Sequence, residues 1–442
     1  MTGSTTPAFG FNIIGYVSSN LGMGVTARHF IRLLRERGYP VAVLDIDSGL
    51  GRGGHDRTYA NLTVAHAREL PYAVNLFLFS ILALPEFFLK PADGLLREDR
   101  INVGLVWWEL TVLPDRLVEA LRLFDVVLAG SEFVQHVIEF NVPGVRIVLA
   151  KHPVYLPNET VVGKRSQFGL PEEPVLFLSS FEPVSGPQRK NPFAAVAAFQ
   201  QAFPDKSDGR AKLVIKLNNA DKPSNSLPRL LEERLRQQCD HDPRLLVLTE
   251  SLSYAEVLQL YASCDVFVSL HRSEGLGLGP LEAMRLGRPV IATGWSGNLS
   301  YMNFSNACLI SYRFIPAQGD AHYSAKFLGK TGFWAEPDIT EAAQWMKSLV
   351  ENPELRAAFA KRALESTTAY QKDAEKGQFV DEIRAIWEQR KLIPGVFAPR
   401  YANVKALREA KYAFDLSLLT LRKRILAKIR ATLYRHFLWR FK

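Results

Sequence analysis

Residues 265–302, DVFVSLHRSEGLGLGPLEAMRLGRPVIATGWSGNLSYM, constrain the fold more than any other part of the chain. Asp265 to Leu270 is a short apolar run with β-branched and aromatic side chains, the composition of a buried strand. It opens into His271, Arg272, Ser273 and Glu274, and then into a loop with glycines at 275, 277 and 279. Pro280 suits the first position of a helix, where the missing N–H has no intrahelical partner in any case. A helix is therefore expected over Leu281 to Leu286, stopped by Gly287, with a second buried strand from Arg288 to Thr293.

A glycine loop entering a helix exposes free backbone N–H groups at the positive end of the helix dipole, which favours an anion such as phosphate. Two carboxylates flank that point: Glu274 just before the glycines and Glu282 in the expected first turn. Phosphate is held by cations, so carboxylates beside it need other partners, and the hydroxyls of a sugar or a ribose supply them. The stretch reads as a site for a sugar joined to a nucleotide diphosphate.

Glu274 and Glu282 stand at the E-x7-E spacing of retaining glycosyltransferases of the family-4 type, which have two Rossmann-like domains. Glu274-Gly275-Leu276-Gly277-Leu278 resembles their EGFGL signature, and the following EAMRLGRPVIAT resembles their EAMA-x-GKPVIAT run. The resemblance covers about residues 10–390. It implies an α/β fold of two doubly wound domains facing a cleft, the GT-B type, with a basic helical tail beyond it. The expected units are residues 1–155 on the acceptor side and 166–375 for the nucleotide sugar. A crossover helix and connection at 376–403 and an amphipathic tail at 404–442 follow.

The chain of 442 residues is 47% hydrophobic and 22% charged, the profile of a folded protein large enough for two domains. Cys239, Cys264 and Cys308 are far apart and form no C-x-x-C pair, which argues against a disulfide framework or a zinc site and fits a cytoplasmic protein. The N-terminal ten residues lack the basic and apolar regions of a secretion signal. Residues 400–442 hold 12 Lys+Arg against 2 Asp+Glu, a net of +10; the whole chain is +9, which leaves −1 for residues 1–399. The basic character belongs to the tail, and nucleic-acid binding by the body is not expected. In that tail Leu421, Ile425, Ile429, Leu433, Phe437 and Phe441 recur every fourth residue among Lys and Arg. An amphipathic helix of this kind suits either an anionic membrane surface, on the inner face of the membrane, or packing against protein.

The first domain begins with a strand at Phe11 to Val17 and a loop containing Gly22 and Gly24 ahead of a helix. The glycine pair serves either close approach of a ligand or a tight turn. Tyr72 to Leu89 is long and apolar, but Asn75, Ser80, Pro85 and Glu86 interrupt it, so a buried strand running into a helix is expected. Many family members carry a histidine at the end of that strand; here the residues are Phe77-Leu78-Phe79-Ser80. A further strand ends in Trp107-Trp108-Glu109, where Trp108 and Glu109 are candidates for stacking and hydrogen-bonding an acceptor, with core packing the alternative.

In the second domain the resemblance places a lysine before a helix, where it neutralises the diphosphate, and Lys190 matches it. The family's upstream arginine is absent from residues 181–187, FEPVSGP, and Arg189 is its candidate substitute. Lys216 near a strand end either enters the cleft or is exposed. The Glu250-Ser251-Leu252 turn is where related proteins hold the base through backbone groups. Trp295-Ser296-Gly297-Asn298 is a candidate lining of the sugar pocket, and His271 serves either as a site contact or as structural support. The resemblance implies a donor diphosphate stabilised by Lys190, Arg189 and the amides near Gly277 to Leu281, with Glu274 on the sugar, Glu282 on the ribose, and Gly275, Gly277 and Leu278 among the donor-binding residues. It implies no cofactor and, without a D-x-D motif, no metal. The expected activity is retaining transfer from a nucleoside diphosphate sugar to a glycan or lipid-linked acceptor. The rivals are a nucleotide-sugar epimerase on the same fold and a non-catalytic nucleotide-sugar-binding subunit.

Overall fold

Short runs such as Phe11–Gly15 and Val175–Phe181 are apolar on both alternating sets of side chains, and strands with that pattern need cover on both faces. A parallel sheet with helical crossovers provides it. The computed structural model describes residues 7–46, 56–89, 95–97, 99–156, 161–218, 226–317, 331–392 and 404–416. Within them β1 (Phe11–Gly15), β2 (Val41–Asp45), β3 (Val74–Leu78), β4 (Ile101–Val106), β5 (Val126–Ala129) and β6 (Ile147–Leu149) form one parallel sheet in the order β2-β1-β3-β4-β5-β6. A second parallel sheet is made of β7 (Val175–Phe181), β8 (Ala211–Leu217), β9 (Leu245–Leu248), β10 (Val266–Ser269), β11 (Val290–Thr293) and β12 (Cys308–Ile310), ordered β12-β11-β10-β7-β8-β9.

The second order is that of the Rossmann fold, and the first is that of flavodoxin-like sheets extended by one strand. In each sheet the winding reverses once, between β1 and β3 and between β7 and β10. Such switch points leave a crevice beyond the carboxyl ends of the strands. The protein is thus an α/β molecule with two doubly wound sheets of the GT-B type.

The helices that bear on the argument are α1 (Gly22–Glu36), α2 (Glu132–Asn141), α3 (Pro187–Lys190), α4 (Pro192–Ala202), α5 (Tyr254–Ser263), α6 (Leu278–Arg285), α7 (Pro353–Ala374) and α8 (Gln378–Leu392). Each sheet is sandwiched between two apolar clusters. Register in the first sheet is reinforced by a buried amide ladder: Asn12 Nδ2 donates to Asn75 Oδ1 at 2.8 Å, and Asn75 Nδ2 to Asn102 Oδ1 at 3.2 Å. Slipping one strand by a residue would strand these amides unpaired and turn its apolar set outward.

Chain segments beyond the second sheet return to the first. Phe379, Val380, Ile383, Ile386 and Trp387 of α8 are buried in a cluster shared with β1 and β3. The antiparallel hairpin of β13 (Tyr312–Pro316) and β14 (Phe333–Pro337) carries Trp334, 1% exposed, into the cluster that holds Leu110 and Phe124. Residues 404–416 are helical, with Leu407 fully buried in the same cluster and the Arg116 guanidinium 3.9 Å from the Phe414 ring centre. This first part of the tail packs on the body. The stripe from Leu421 to Phe441 lies outside the described residues. No helix among the described residues is long and apolar enough to cross a membrane.

Candidate active site

A cavity of about 810 Å³ lies between the carboxyl ends of the two sheets, with walls from both switch points. Its floor is the glycine loop. Gly277 has φ +84, and a Cβ there would come within 2.9 Å of the Tyr301 hydroxyl, so the position favours glycine twice over. Helix α6 starts immediately after it, at Leu278, two residues ahead of the proline and three ahead of the expected Leu281. Pro280 is therefore its third residue, still among the first four whose N–H groups have no intrahelical acceptor. Glu282 consequently falls in the second turn. Gly275, Gly277, Leu278, Gly279 and Pro280 all line the cavity.

Glu274 is held from behind. Its amide donates to Ser296 Oγ at 2.8 Å, and its carbonyl accepts from the Gly297 amide at 2.9 Å. Ser296 has φ +80, a conformation that costs a non-glycine residue on the order of 1–3 kcal/mol. The Trp295 to Asn298 segment therefore braces the glycine loop and is absent from the cavity wall. His271 also lies off that wall, fully buried, with its ring between Ser269 Oγ at 2.9 Å and Asn298 Oδ1 at 3.1 Å. Burial depresses its pKa. It is a support beneath the loop.

Two cations hold the Glu274 carboxylate. Lys190 Nζ is 2.5 Å from Oε1, and Arg189 Nη1 is 3.0 Å from Oε2. Their positions follow from a tight join: α3 ends at Lys190, Asn191 takes a left-handed φ of 53, and Pro192 starts α4. Arg189 is 3% exposed, donates to the carbonyls of Ser273 and Ser185 at 2.8 Å each, and stands 3.7 Å from Glu109. Its guanidinium is built into the wall. The Lys190 side chain is 22% exposed and is the more accessible cation. Burial alone would raise the Glu274 carboxyl, but Lys190 and Arg189 outweigh it and bring its pKa from 4.5 down to about 2.

Glu282 lines the same cavity in the opposite electrostatic state. It is 4% exposed, has no cation against it among the described residues, and is pushed up from 4.5 to about 8 by burial, against a hydrogen bond donated by the Tyr254 hydroxyl at 2.8 Å. Tyr254 is the first residue of α5, whose capping box of Ser253 and Glu256 fixes where the helix begins. Sequence reading missed Tyr254, which stands 28 residues from its partner in no recognisable motif.

Other expected site residues divide. Gly22, Leu252, Trp108 and Glu109 line the cavity. Trp108 is 1% exposed, however, with its indole N–H donating to the Val112 carbonyl in the first core, and half-buried Trp107 is its neighbour on the wall. Gly24 is off the wall, and a Cβ there would lie 2.1 Å from the Ser19 carbonyl oxygen, so it serves the turn. Lys216 is neither in the cleft nor exposed: at 1% exposure its ammonium donates to the carbonyls of Leu217 and Glu250 at 2.8 and 2.7 Å. It ties β8 to the turn before Leu252.

Comparison with known proteins bears on the family and the fold. Residues 176–313 match the family described as glycosyl transferases group 1. Over 164 residues the chain is 33% identical to the sulfoquinovosyl transferase SQD2 of Arabidopsis thaliana, a match covering 36% of this chain and 28% of that protein. Over 187 residues it is 27% identical to the serotype-specific mannosyltransferase WbdA of Escherichia coli, covering 40% and 22% respectively. The matched part is thus less than a third of either relative. The fold is similar to that of sucrose-phosphate synthase from Thermosynechococcus elongatus, with a TM-score of 0.62 at 13% identity over 86% of this chain and all of that one. Anabaena HepE, solved with UDP and glucose, gives a TM-score of 0.55 at 15% identity over 87% of this chain and 99% of that one. The family match and the two relatives mark a glycosyl transferase segment within the chain, and the solved structures bear on the fold.

The two glutamates should shape opposite limbs of the stability profile. The folded pKa of Glu274 is depressed, so its contribution is present above 4.5 and lost as pH falls towards 2. In thermal melts the advantage of the wild type over Glu274→Gln should shrink across that range; a constant gap would separate Glu274 from its cations. The folded pKa of Glu282 is raised, so its contribution is present below 4.5 and lost as pH rises through about 8. Glu282→Gln, which cannot ionise, should gain stability relative to wild type as pH rises from 5 to 8, and a flat difference would refute the assignment.

Proposed function

We propose that the protein is a retaining glycosyltransferase that moves a sugar from a nucleoside diphosphate sugar to a glycan or lipid-linked acceptor. The observation that carries this reading is one cavity holding a cation-paired carboxylate, Glu274, and a neutral one, Glu282, on either side of a helix N-terminus. The free amides at Gly277 to Gly279 and the Lys190 ammonium suit a diphosphate. Glu274, fixed by Ser296 and Arg189, suits the hydroxyls of the sugar. Glu282 and Tyr254 suit a ribose.

In the reaction the acceptor hydroxyl attacks the anomeric carbon from the face the diphosphate leaves. The bond from that carbon to the phosphate oxygen breaks as the new glycosidic bond forms. The hydroxyl proton passes to the departing phosphate oxygen. Lys190 offsets the charge that grows on the leaving group, which in a water-poor cavity is worth more than in solvent. Arg189 acts through Glu274 and is a positioning residue.

A thermal-shift screen of nucleoside diphosphate sugars, followed by NMR of the anomeric product, tests the reading; an inverted product would refute the retaining assignment. With the cognate donor, Lys190→Ala and Glu274→Gln should each lower turnover by roughly a hundredfold or more. Near-normal turnover in both would remove the chemistry from this cluster.

The dense positive charge of residues 417–442 supports an anionic membrane surface as the place of action. Because residues 404–416 pack on the body, truncation should begin at 417. The truncated protein should melt as the full chain does and lose binding to phosphatidylserine vesicles at low salt. Equal vesicle binding by both forms would dismiss the anchor.

A further inference from the structure

The two walls of the cavity differ in chemistry. Arg189, Lys190, Glu182, Glu274 and Glu282 all belong to the second sheet's side. On the first sheet's side the charged residue among the described lining is Glu109, at the seam and 3.7 Å from Arg189. The rest of that wall combines Tyr16 after β1, Met23 at the start of α1, and Phe79, Ile81, Leu82 and Ala83 after β3 with the uncharged polar side chains of Asn20, Thr26 and Ser80 and the buried His152. Phe79 and Ile81 are 4% and 3% exposed, and the Tyr16 and Phe79 rings meet edge to face at 6.2 Å.

Local sequence explains this wall. Ser80 caps a single 3-10 turn over Ile81–Ala83, its hydroxyl accepting from the Leu82 amide at 3.3 Å. The turn leaves Leu82 and Ala83 half-buried on the cavity. It stands at the β1/β3 switch point, facing the charged side across the cleft. An ionised group brought against these side chains would lose its hydration and meet no Lys or Arg of the first sheet's side among the described residues. Alkyl or aryl carbon would instead be removed from water.

We propose that this wall is the acceptor subsite and that it takes an uncharged acceptor with an apolar group next to the reacting hydroxyl, in preference to a sugar phosphate. The inference rests on the transferase reading and names the acceptor class for the same cavity. With the nucleoside diphosphate sugar that gives the largest thermal shift, KM is compared for hexyl glucoside, glucose and glucose 6-phosphate. The hexyl glucoside should have a KM roughly tenfold or more below glucose, as burial of two methylenes suffices for that factor. Leu82→Arg and Ala83→Arg, with folding checked by thermal melts, should erase most of that preference and bring glucose 6-phosphate closer to glucose.

Equal KM values for hexyl glucoside and glucose would overturn the proposal. So would a preference for glucose 6-phosphate, which would assign the wall to an anion held at the N-terminus of α1. If no nucleoside diphosphate sugar binds or is consumed, the transferase reading itself fails. Calorimetric binding of hexyl glucoside against glucose 6-phosphate then decides whether the wall selects apolar ligands.

Discussion

A buried carboxylate must be paired, and the pairing of Glu274 organises the rest of this molecule. Left alone at 7% exposure it would take up a proton. Lys190 and Arg189 keep it ionised, and each then needs its own support. Arg189 is held by the Ser273 and Ser185 carbonyls, Lys190 is aimed by the left-handed Asn191, and the Glu274 backbone is clamped by a strained Ser296. His271, fully buried beneath, fixes Asn298 and so the brace. Strain at Ser296 is tolerated because several independent hydrogen bonds determine its place.

The same cluster joins the two sheets. Ser131, the cap of α2 in the first unit, donates its hydroxyl to the Gly275 carbonyl at 2.5 Å. His29 of α1 packs edge to face on Tyr254 at 5.8 Å between ring centres, and Tyr254 in turn donates to Glu282. On the outer side Lys151 meets Asp373 of α7 at 2.7 Å, and β14 delivers Trp334 into the first core. Both glutamates thus receive a contact that originates in the first unit. A change in how the sheets face one another would therefore be felt beside each carboxylate.

Legibility followed locality. The strand–glycine loop–helix–strand unit and Lys190 before its helix were readable because each depends on neighbours in the chain. Gly277 was readable for a stronger reason, since a left-handed φ and the nearby Tyr301 hydroxyl both favour glycine. Lys216 was misread because a lysine at a strand end is ordinarily solvated. Only the fold reveals the two carbonyls that receive its ammonium. Trp108 and His271 were ambiguous for a like reason, as the residue type suits both a site and a core. Tyr254 was missed altogether, and Ser296 was expected on the sugar pocket where it instead braces the loop: their work is done across 28 and 22 residues, and no local pattern marks it.

The E-x7-E spacing says nothing of the difference between its two carboxylates, and that difference is what makes the site usable. Around α6 one glutamate precedes the helix and faces two cations, while the other sits in the second turn against a phenol. The cations bring the first to about 2, and burial pushes the second up to about 8 in spite of the phenol's hydrogen bond. A pair ionised together would repel the diphosphate that the helix N-terminus and Lys190 attract. A pair neutral together would leave Lys190 and Arg189 without a buried counterion. Separating their protonation states avoids both penalties, with one carboxylate offsetting the cations and the other adding no negative charge until a ligand supplies hydrogen-bond donors. The separation depends on Lys190 and Arg189 at one carboxylate and on burial at the other, against the Tyr254 hydrogen bond, and none of these three residues belongs to the motif.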